Sequence, residues 1–299
     1  AAELQAINNN LAAYYVLTGN INLADVTWTP IGTTSVGFHG QLDGAGYTIS
    51  NLEMSRTDQS AGLFRSLTSG ATIKNLKLAD CSVSSTSSWC GVLCGSIIMS
   101  SSAHEVATIE NVDMVRCSAT SSSYIVGVLC GPVYSANLAE MTRCTVENSH
   151  AKASSSNVGV LCGAVNSAST VIMDSCQVEN CIAESTSSST VGVLCGKVNS
   201  ASSCSAKNCV AVNSIAKGTN YVGGFVGLVD KNYNTGVGST VSATDCTFED
   251  CTIVATSNYA GGVAGRIITD CTGTFNGCTV SHTTILASSY AAGICPTWS

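Results

Sequence analysis

A six-residue block built on two glycines recurs along this 299-residue chain, and it restricts the possible folds more than any other feature. Four copies are near-identical: Cys90-Gly-Val-Leu-Cys-Gly95, Val126-Gly-Val-Leu-Cys-Gly131, Val158-Gly-Val-Leu-Cys-Gly163 and Val191-Gly-Val-Leu-Cys-Gly196. Looser copies follow at Val222-Gly-Gly-Phe-Val-Gly227, Ala260-Gly-Gly-Val-Ala-Gly265 and Ala291-Ala-Gly-Ile-Cys-Pro296, and a degenerate one stands at Ala61-Gly-Leu-Phe64. The copies lie about 32 residues apart, the spacing of a repeat architecture whose units each bury a face against their neighbours.

A second block separates the hexapeptides and aligns without gaps, as in Ile73 to Val83, Met173 to Ala183 and Ala243 to Ile253. Its second apolar column runs Leu76, Val112, Cys144, Cys176, Cys204, Cys246, Cys278, and its third Leu78, Met114, Val146, Val178, Ala206, Phe248, Val280. The fourth runs Cys81, Cys117, Ser149, Cys181, Cys209, Cys251, Thr283, and the fifth Val83, Ala119, Ala151, Ala183, Ala211, Ile253, Ile285. A step of two residues marks a half-buried strand, and the single step of three between the third and fourth columns marks a corner. Asn148, Asn180, Asn208 and Asp250 occupy that corner, residue types that tolerate the left-handed backbone conformation.

Each unit therefore reads as a strand, a corner, a second strand, a Ser/Thr-rich loop such as 84–88, and a third strand through the hexapeptide. The expected fold is an all-β, right-handed parallel β-helix of seven to eight three-strand coils. At a rise of about 4.8 Å per coil, the rod is roughly 35–40 Å long. A propeller would need four antiparallel strands and hairpin turns in each blade, which this pattern lacks. Residues 1–60 are expected to hold a cap and the first coils, and 61–299 one continuous solenoid. Within the cap, Ala2 to Ile7 suits a short helix that covers the first coil with Leu4 and Ile7. Trp298 is a candidate for covering the other end.

The 17 cysteines fit this frame. In a chain too long to need disulfide staples, and in columns shared with Leu, Val, Ser and Thr, they read as small buried hydrophobes. Mostly free thiols are expected, with one bridge conceivable at an off-column residue such as Cys271. The pairs Cys90/Cys94, Cys176/Cys181, Cys204/Cys209 and Cys246/Cys251 are not expected to bind metal, since a corner parts their sulfurs. The histidines His39, His104, His150 and His282 form no ligand motif. No catalytic residue, metal or cofactor is expected.

Net charge is −7, and the 12 basic residues are scattered, which argues against nucleic acid and anionic bilayers as partners. No apolar run is long enough to span a membrane, and any export signal is expected to lie outside the chain. Three surface features remain. An edge column of Glu147, Glu179, Lys207 and Glu249 reads as solvated charge, with a weak calcium or sugar site as the alternative. Trp89, Asn157, Thr190, Tyr221, Tyr259 and Tyr290 share a column before the hexapeptide glycine, so Trp89, Tyr221, Tyr259 and Tyr290 are a candidate ligand-binding surface for sugar rings, or else a ladder that stabilises the sheet. The hexapeptide strand is apolar on both sides, Leu129 and Val133 against Val126, Val128 and Cys130, so either something covers its outer side or it presents an apolar stripe suited to self-association.

The N-terminal stretch carries a family resemblance. Tyr15 to Asp25, Trp28-Thr-Pro-Ile-Gly32, Phe38 to Leu52, and Gly62-Leu-Phe64 followed by Ala71-Thr-Ile-Lys-Asn-Leu76 resemble the opening of GLUG-repeat proteins, which are bacterial secreted or surface proteins. With the hexapeptides, the resemblance covers essentially the whole chain. It implies a right-handed β-helix-like fold, a cell-surface location and adhesion-type roles. Similar repeats accompany some bacterial immunoglobulin A proteases, outside their catalytic domains. The density of cysteine departs from the pattern. The expectation is thus a non-enzymatic, secreted or surface-displayed adhesion or binding protein, with a glycan or a host or bacterial surface protein as partner. The alternatives are a polysaccharide lyase or hydrolase on the same fold, and a structural stalk.

Overall fold

The computed structural model describes residues 1–33, 36–57, 60–86, 89–98, 106–135, 138–187 and 189–296. His104 and Trp298 lie outside the described residues. The chain is a parallel β-solenoid, and every strand pairing in the four sheets is parallel and joins one coil to the next. One sheet stacks eight strands, one from each successive coil. No helix among the described residues is long and apolar enough to cross a membrane.

A coil holds more strands than the expected three. In the coil that starts at Thr170 the strands are Thr170–Asp174, Gln177–Glu179, Ile182–Ser185, Thr190–Gly192 and Cys195–Val198. The extra strands come from two bends. The first lies in the long inter-hexapeptide block, at a second left-handed corner formed by Asn75, Asn111, Arg143, Ser175, Asn208 and Asp245, each with φ between 51° and 55°. The second lies inside the hexapeptide itself, which folds back on its two glycines. A Cβ on Gly192 would collide with the Cys195 carbonyl oxygen, and one on Gly196 with the backbone of Val158 in the preceding coil. The two arms of the hexapeptide thus meet backbone to backbone, at a separation that only glycine allows.

This fold-back also decides between a covered and an exposed apolar side of the hexapeptide, in favour of the covered one. Val126, Val128, Leu129, Cys130 and Val133 are all fully buried, because a bent hexapeptide turns its apolar side chains inward. The stripe does not reach the surface and offers no face for self-association. Its middle valine column points into the main core, and where that column holds Gly224 the ring of Phe248 from the following coil occupies the space.

Register differs from the sequence alignment in one coil. Gln177 pairs with Val210 and Val178 with Ala211, so Cys209 follows Cys176, and Ser214 follows Cys181. Cys204 instead lies between Val171 and Val241. The spacing Cys204-Ser-Ala206 repeats five residues on as Cys209-Val-Ala211, which makes a five-residue slip nearly invisible in sequence. Lys207 accordingly leaves the acidic corner column, where Val212 stands beside Glu179 and Glu249.

Cysteine has a specific task at the corners. The left-handed residues Asp80, Arg116, Asn180 and Asp250 are each followed directly by a buried cysteine. That cysteine's thiol donates to the carbonyl two residues back, as Cys81 to Ala79, Cys181 to Glu179 at 3.2 Å and Cys251 to Glu249 at 3.3 Å. Where the column changes residue, the hydroxyl makes the same bond: Ser149 to Glu147 at 2.7 Å, Ser214 to Val212 at 2.9 Å and Thr283 to Ser281 at 2.9 Å. The corner carbonyl already accepts from an amide of the preceding coil, as Glu179 does from Asn148, so Cys, Ser and Thr add a second bond there, and Leu52, Leu76 and Val112 fill the equivalent place at other corners by packing alone.

All 17 cysteines are free, including Cys271, whose sulfur accepts a hydrogen bond from the Ser239 amide. The one conceivable bridge is not formed. Burial pushes the thiols of Cys90 and Cys181 up to about 12, so they stay protonated and inert near neutrality.

At the N-terminal end Ala2–Gln5 is helical and Ala6–Asn9 continues as a 3-10 turn, with Leu4 and Ile7 buried against the first coil. Asn8 accepts from the Gly32 amide and Trp28 donates to the Leu63 carbonyl, which tie the cap to the coils.

Two predictions follow from this packing. Native protein treated with a charged thiol reagent should react only at the half-buried Cys271, Cys278 and Cys295, and all 17 thiols should titrate in denaturant; fewer in denaturant would reveal a bridge. Gly192→Ala should destabilise by at least about 3 kcal/mol in denaturant unfolding, whereas Gly19→Ala, whose Cβ meets nothing within 4 Å, should be close to neutral.

Candidate functional site

The candidate aromatic surface follows directly from the register. Thr190, Tyr221, Tyr259 and Tyr290 pair in succession across four coils, each just before the hexapeptide bend. The Tyr221 and Tyr259 rings stack with centroids 5.7 Å apart and 21° between planes, and those of Tyr259 and Tyr290 at 5.1 Å and 11°. Arg266, from the neighbouring sheet, lies 4.9 Å from the Tyr259 centroid and 5.6 Å from that of Tyr221, and donates to the Tyr221 hydroxyl at 3.3 Å.

This geometry has a chemical consequence. Tyr259 is stacked between Tyr221 and Tyr290, and Arg266 lies against the same ring. A sugar ring needs an open aromatic face, which this packing largely takes up. Tyr290, 54% exposed, is the most open member. Trp89 belongs to the same column but not to the stack: it packs on Tyr134 at 5.7 Å, while Ile125, Asn157 and Thr190 lie between it and Tyr221, the last two joined by a 2.6 Å hydrogen bond. The four candidate residues thus form two patches.

The acidic edge also divides. Glu147 and Glu179 face solvent beside Asn148 and Asn180. Farther along, Glu249, Asp250 and His282 bring one ligand atom each within 4.8 Å of one another, with His282 Nδ1 3.6 Å from Glu249 and 4.0 Å from Asp250. His282 occupies the left-handed corner position that Asp250 holds one coil earlier, in agreement with the alignment of Cys251 and Thr283.

Six ion pairs join neighbouring coils: Lys74 with Asp43, Arg116 with Asp80, Arg143 with Glu110, Lys152 with Glu184, Lys197 with Asp230, and Lys231 with Asp270. The bond from Lys152 is the main cause that holds the Glu184 carboxyl below its ordinary range. The last two pairs flank residues 230–239, a connection that the sequence reading passed over although the interval from Gly223 to Gly261 is the longest between hexapeptides.

No protein-family model matches the chain. Over 96 residues it is 38% identical to Halomucin from Haloquadratum walsbyi, a likeness that covers 27% of this chain and 1% of that protein. The crystal structure of a "putative immunoglobulin A1 protease" from Bacteroides ovatus superposes with a TM-score of 0.64 over 99% of this chain and 81% of that one, at 14% identity, a likeness of fold.

If the tyrosine stack serves mainly to hold coils together, Tyr259→Ala should lower stability by about 1–2 kcal/mol, more than Tyr290→Ala, since it removes two ring contacts and a cation–π partner. Thermal unfolding of the two variants checks the order.

Proposed function

We propose that the chain is a non-enzymatic binding module of GLUG-like repeats displayed at a bacterial surface, with a glycan or a surface protein as its partner. The observation that carries this reading is the use of its charges. Carboxylates and cations meet in pairs one coil apart along the rod. Such pairing resists fraying between coils. A polysaccharide lyase or hydrolase needs a different arrangement, with two or more carboxylates and a base converging on one bond. Among the described residues, the cluster of Glu249, Asp250 and His282 lies exposed on an outer corner without an Arg or Lys beside it.

The remaining support is similarity. The GLUG-like motifs point to a surface protein, the stretch shared with Halomucin is consistent with an extracellular repeat, and the likeness to the Bacteroides ovatus structure extends over the whole solenoid. A rod of stacked coils repeats its surface at each step, so weak contacts can add along its length.

The test has two arms. Incubation with a panel of acidic and neutral polysaccharides, and with immunoglobulin A1, should release no reducing ends, no unsaturated products and no cleaved heavy chain. The same protein should be retained on a glycan array or on intact bacterial cells. Turnover of any of these substrates overturns the reading in favour of an enzyme, and failure to bind any surface overturns it in favour of a stalk.

A further inference from the structure

The regular coils join their fifth strand to the next coil through short connections, at 166–169, 199–202 and 268–271. At one level residues 230–239 take this place and stand out from the rod. The loop is closed on itself: the Asn232 amide donates to Val237, the Gly236 amide to Asn232, and the Asn234 amide to the Asn232 side chain. Lys231 ties it to Asp270 at 2.7 Å, and Gly238 abuts the Asp270 backbone so closely that a side chain would collide. With Lys197, Asn199 and the turn at Ser200 and Ala201, this loop encloses an open cleft of about 660 Å³.

The chemistry of the cleft is specific. Asp230, only 7% exposed, meets Lys197 Nζ at 3.0 Å, and Lys231 is paired with Asp270, so both ammonium groups are already neutralised. An anionic ligand would therefore gain little. The rest of the lining is amide, hydroxyl and the methyl groups of Ala168 and Ala201, and the Asn199 side-chain oxygen is out of solvent with no hydrogen-bond partner. Tyr233 stands at the rim, 75% exposed, and its hydroxyl bonds to the Asp230 carboxylate, which raises its pKa above the ordinary value. Its exposure sets it apart from Tyr221 and Tyr259, whose rings are stacked in the ladder.

We propose that this cleft binds a neutral oligosaccharide, a ligand class that deepens the reading of the solenoid as a binder and rests on it. Asp230 is buried and already accepts from Lys197 and the Lys231 amide, so the polar contacts of the cleft fall to the Lys231 ammonium, which can donate to a sugar hydroxyl, and to the Asn and Ser side chains of the lining. Rotation of the Asn199 side chain, which lines the cleft, would bring its unmet oxygen to a sugar hydroxyl, and the exposed Tyr233 ring offers a platform for the apolar face of a pyranose. A preformed cleft of this size falls in the range of small-ligand sites.

The full chain should be titrated calorimetrically with cello-, manno-, xylo- and maltohexaose, and with oligogalacturonate as the acidic probe. Binding of at least one neutral hexaose at one site per chain is expected, weakened roughly tenfold by Tyr233→Ala and left intact by Tyr290→Ala. Tyr233 is exposed enough for its variant to keep the melting temperature of the parent, and Asn199→Ala supplies a second, independent loss. Binding of neutral hexaoses that survives Tyr233→Ala and Asn199→Ala but fails in Tyr290→Ala overturns the cleft while leaving a binding solenoid in place. Preference for the acidic probe, or binding of none of the five, overturns the proposal.

Discussion

The left-handed corner is the constraint on which the rest of the structure depends. A coil turns without ending its ladder because one residue enters the left-handed region while its amide still donates to the corner carbonyl of the following coil, as Asn148 does to Glu179 and Asn180 to Val212. The residue after it points into a narrow interior and must be buriable, whether apolar, as Leu52, Leu76 and Val112, or a small donor. Cys181, Ser214 and Thr283 are small donors in the same position, and each turns its S–H or O–H onto the carbonyl two residues back. Because stacked coils place this position one strand spacing apart, the demand recurs along the rod, and free thiols accumulate there.

The same logic explains what could be read in the sequence and what could not. The solenoid, its coil count and the N-terminal helix were legible, since each rests on periodicity or on an amphipathic pair such as Leu4 and Ile7. The bend within the hexapeptide was not. A glycine required by close backbone approach looks in sequence like a glycine inside a strand, and only the partners of Gly192 and Gly196 reveal the fold-back. The register near Cys204 was obscured because the two corners of a coil lie five residues apart and accept the same residues, so a slip of five keeps most columns plausible. Val212 in the corner is the residue that betrays it.

The candidate surface was half legible for a related reason. A column places residues in a row, and the tyrosine column was placed correctly, from Tyr221 to Tyr290. It says nothing of where the rings point. In a parallel in-register stack, identical flat side chains gain most by lying on one another, so a ladder tends to occupy the faces that a ligand would need. Arg266 strengthens that preference by lying over Tyr221 and Tyr259.

Regularity therefore works against a strong binding site and in favour of many weak ones. Side chains at equivalent positions are about 4.8 Å apart along the axis and point in parallel, so they cannot converge on one small ligand. Convergence needs a residue that leaves the ladder, and residues 230–239 supply it by carrying Tyr233 and Lys231 outward toward groups on the adjacent coils. The two modes of recognition leave different signatures. Contacts along the ladder make affinity rise with ligand length, because each added unit meets another coil at high effective concentration. A cleft beside a single loop saturates once its groups are met, so affinity reaches a plateau at a short chain length. The dependence of affinity on ligand length thus distinguishes a protein that binds through its repeat from one that binds where the repeat is broken.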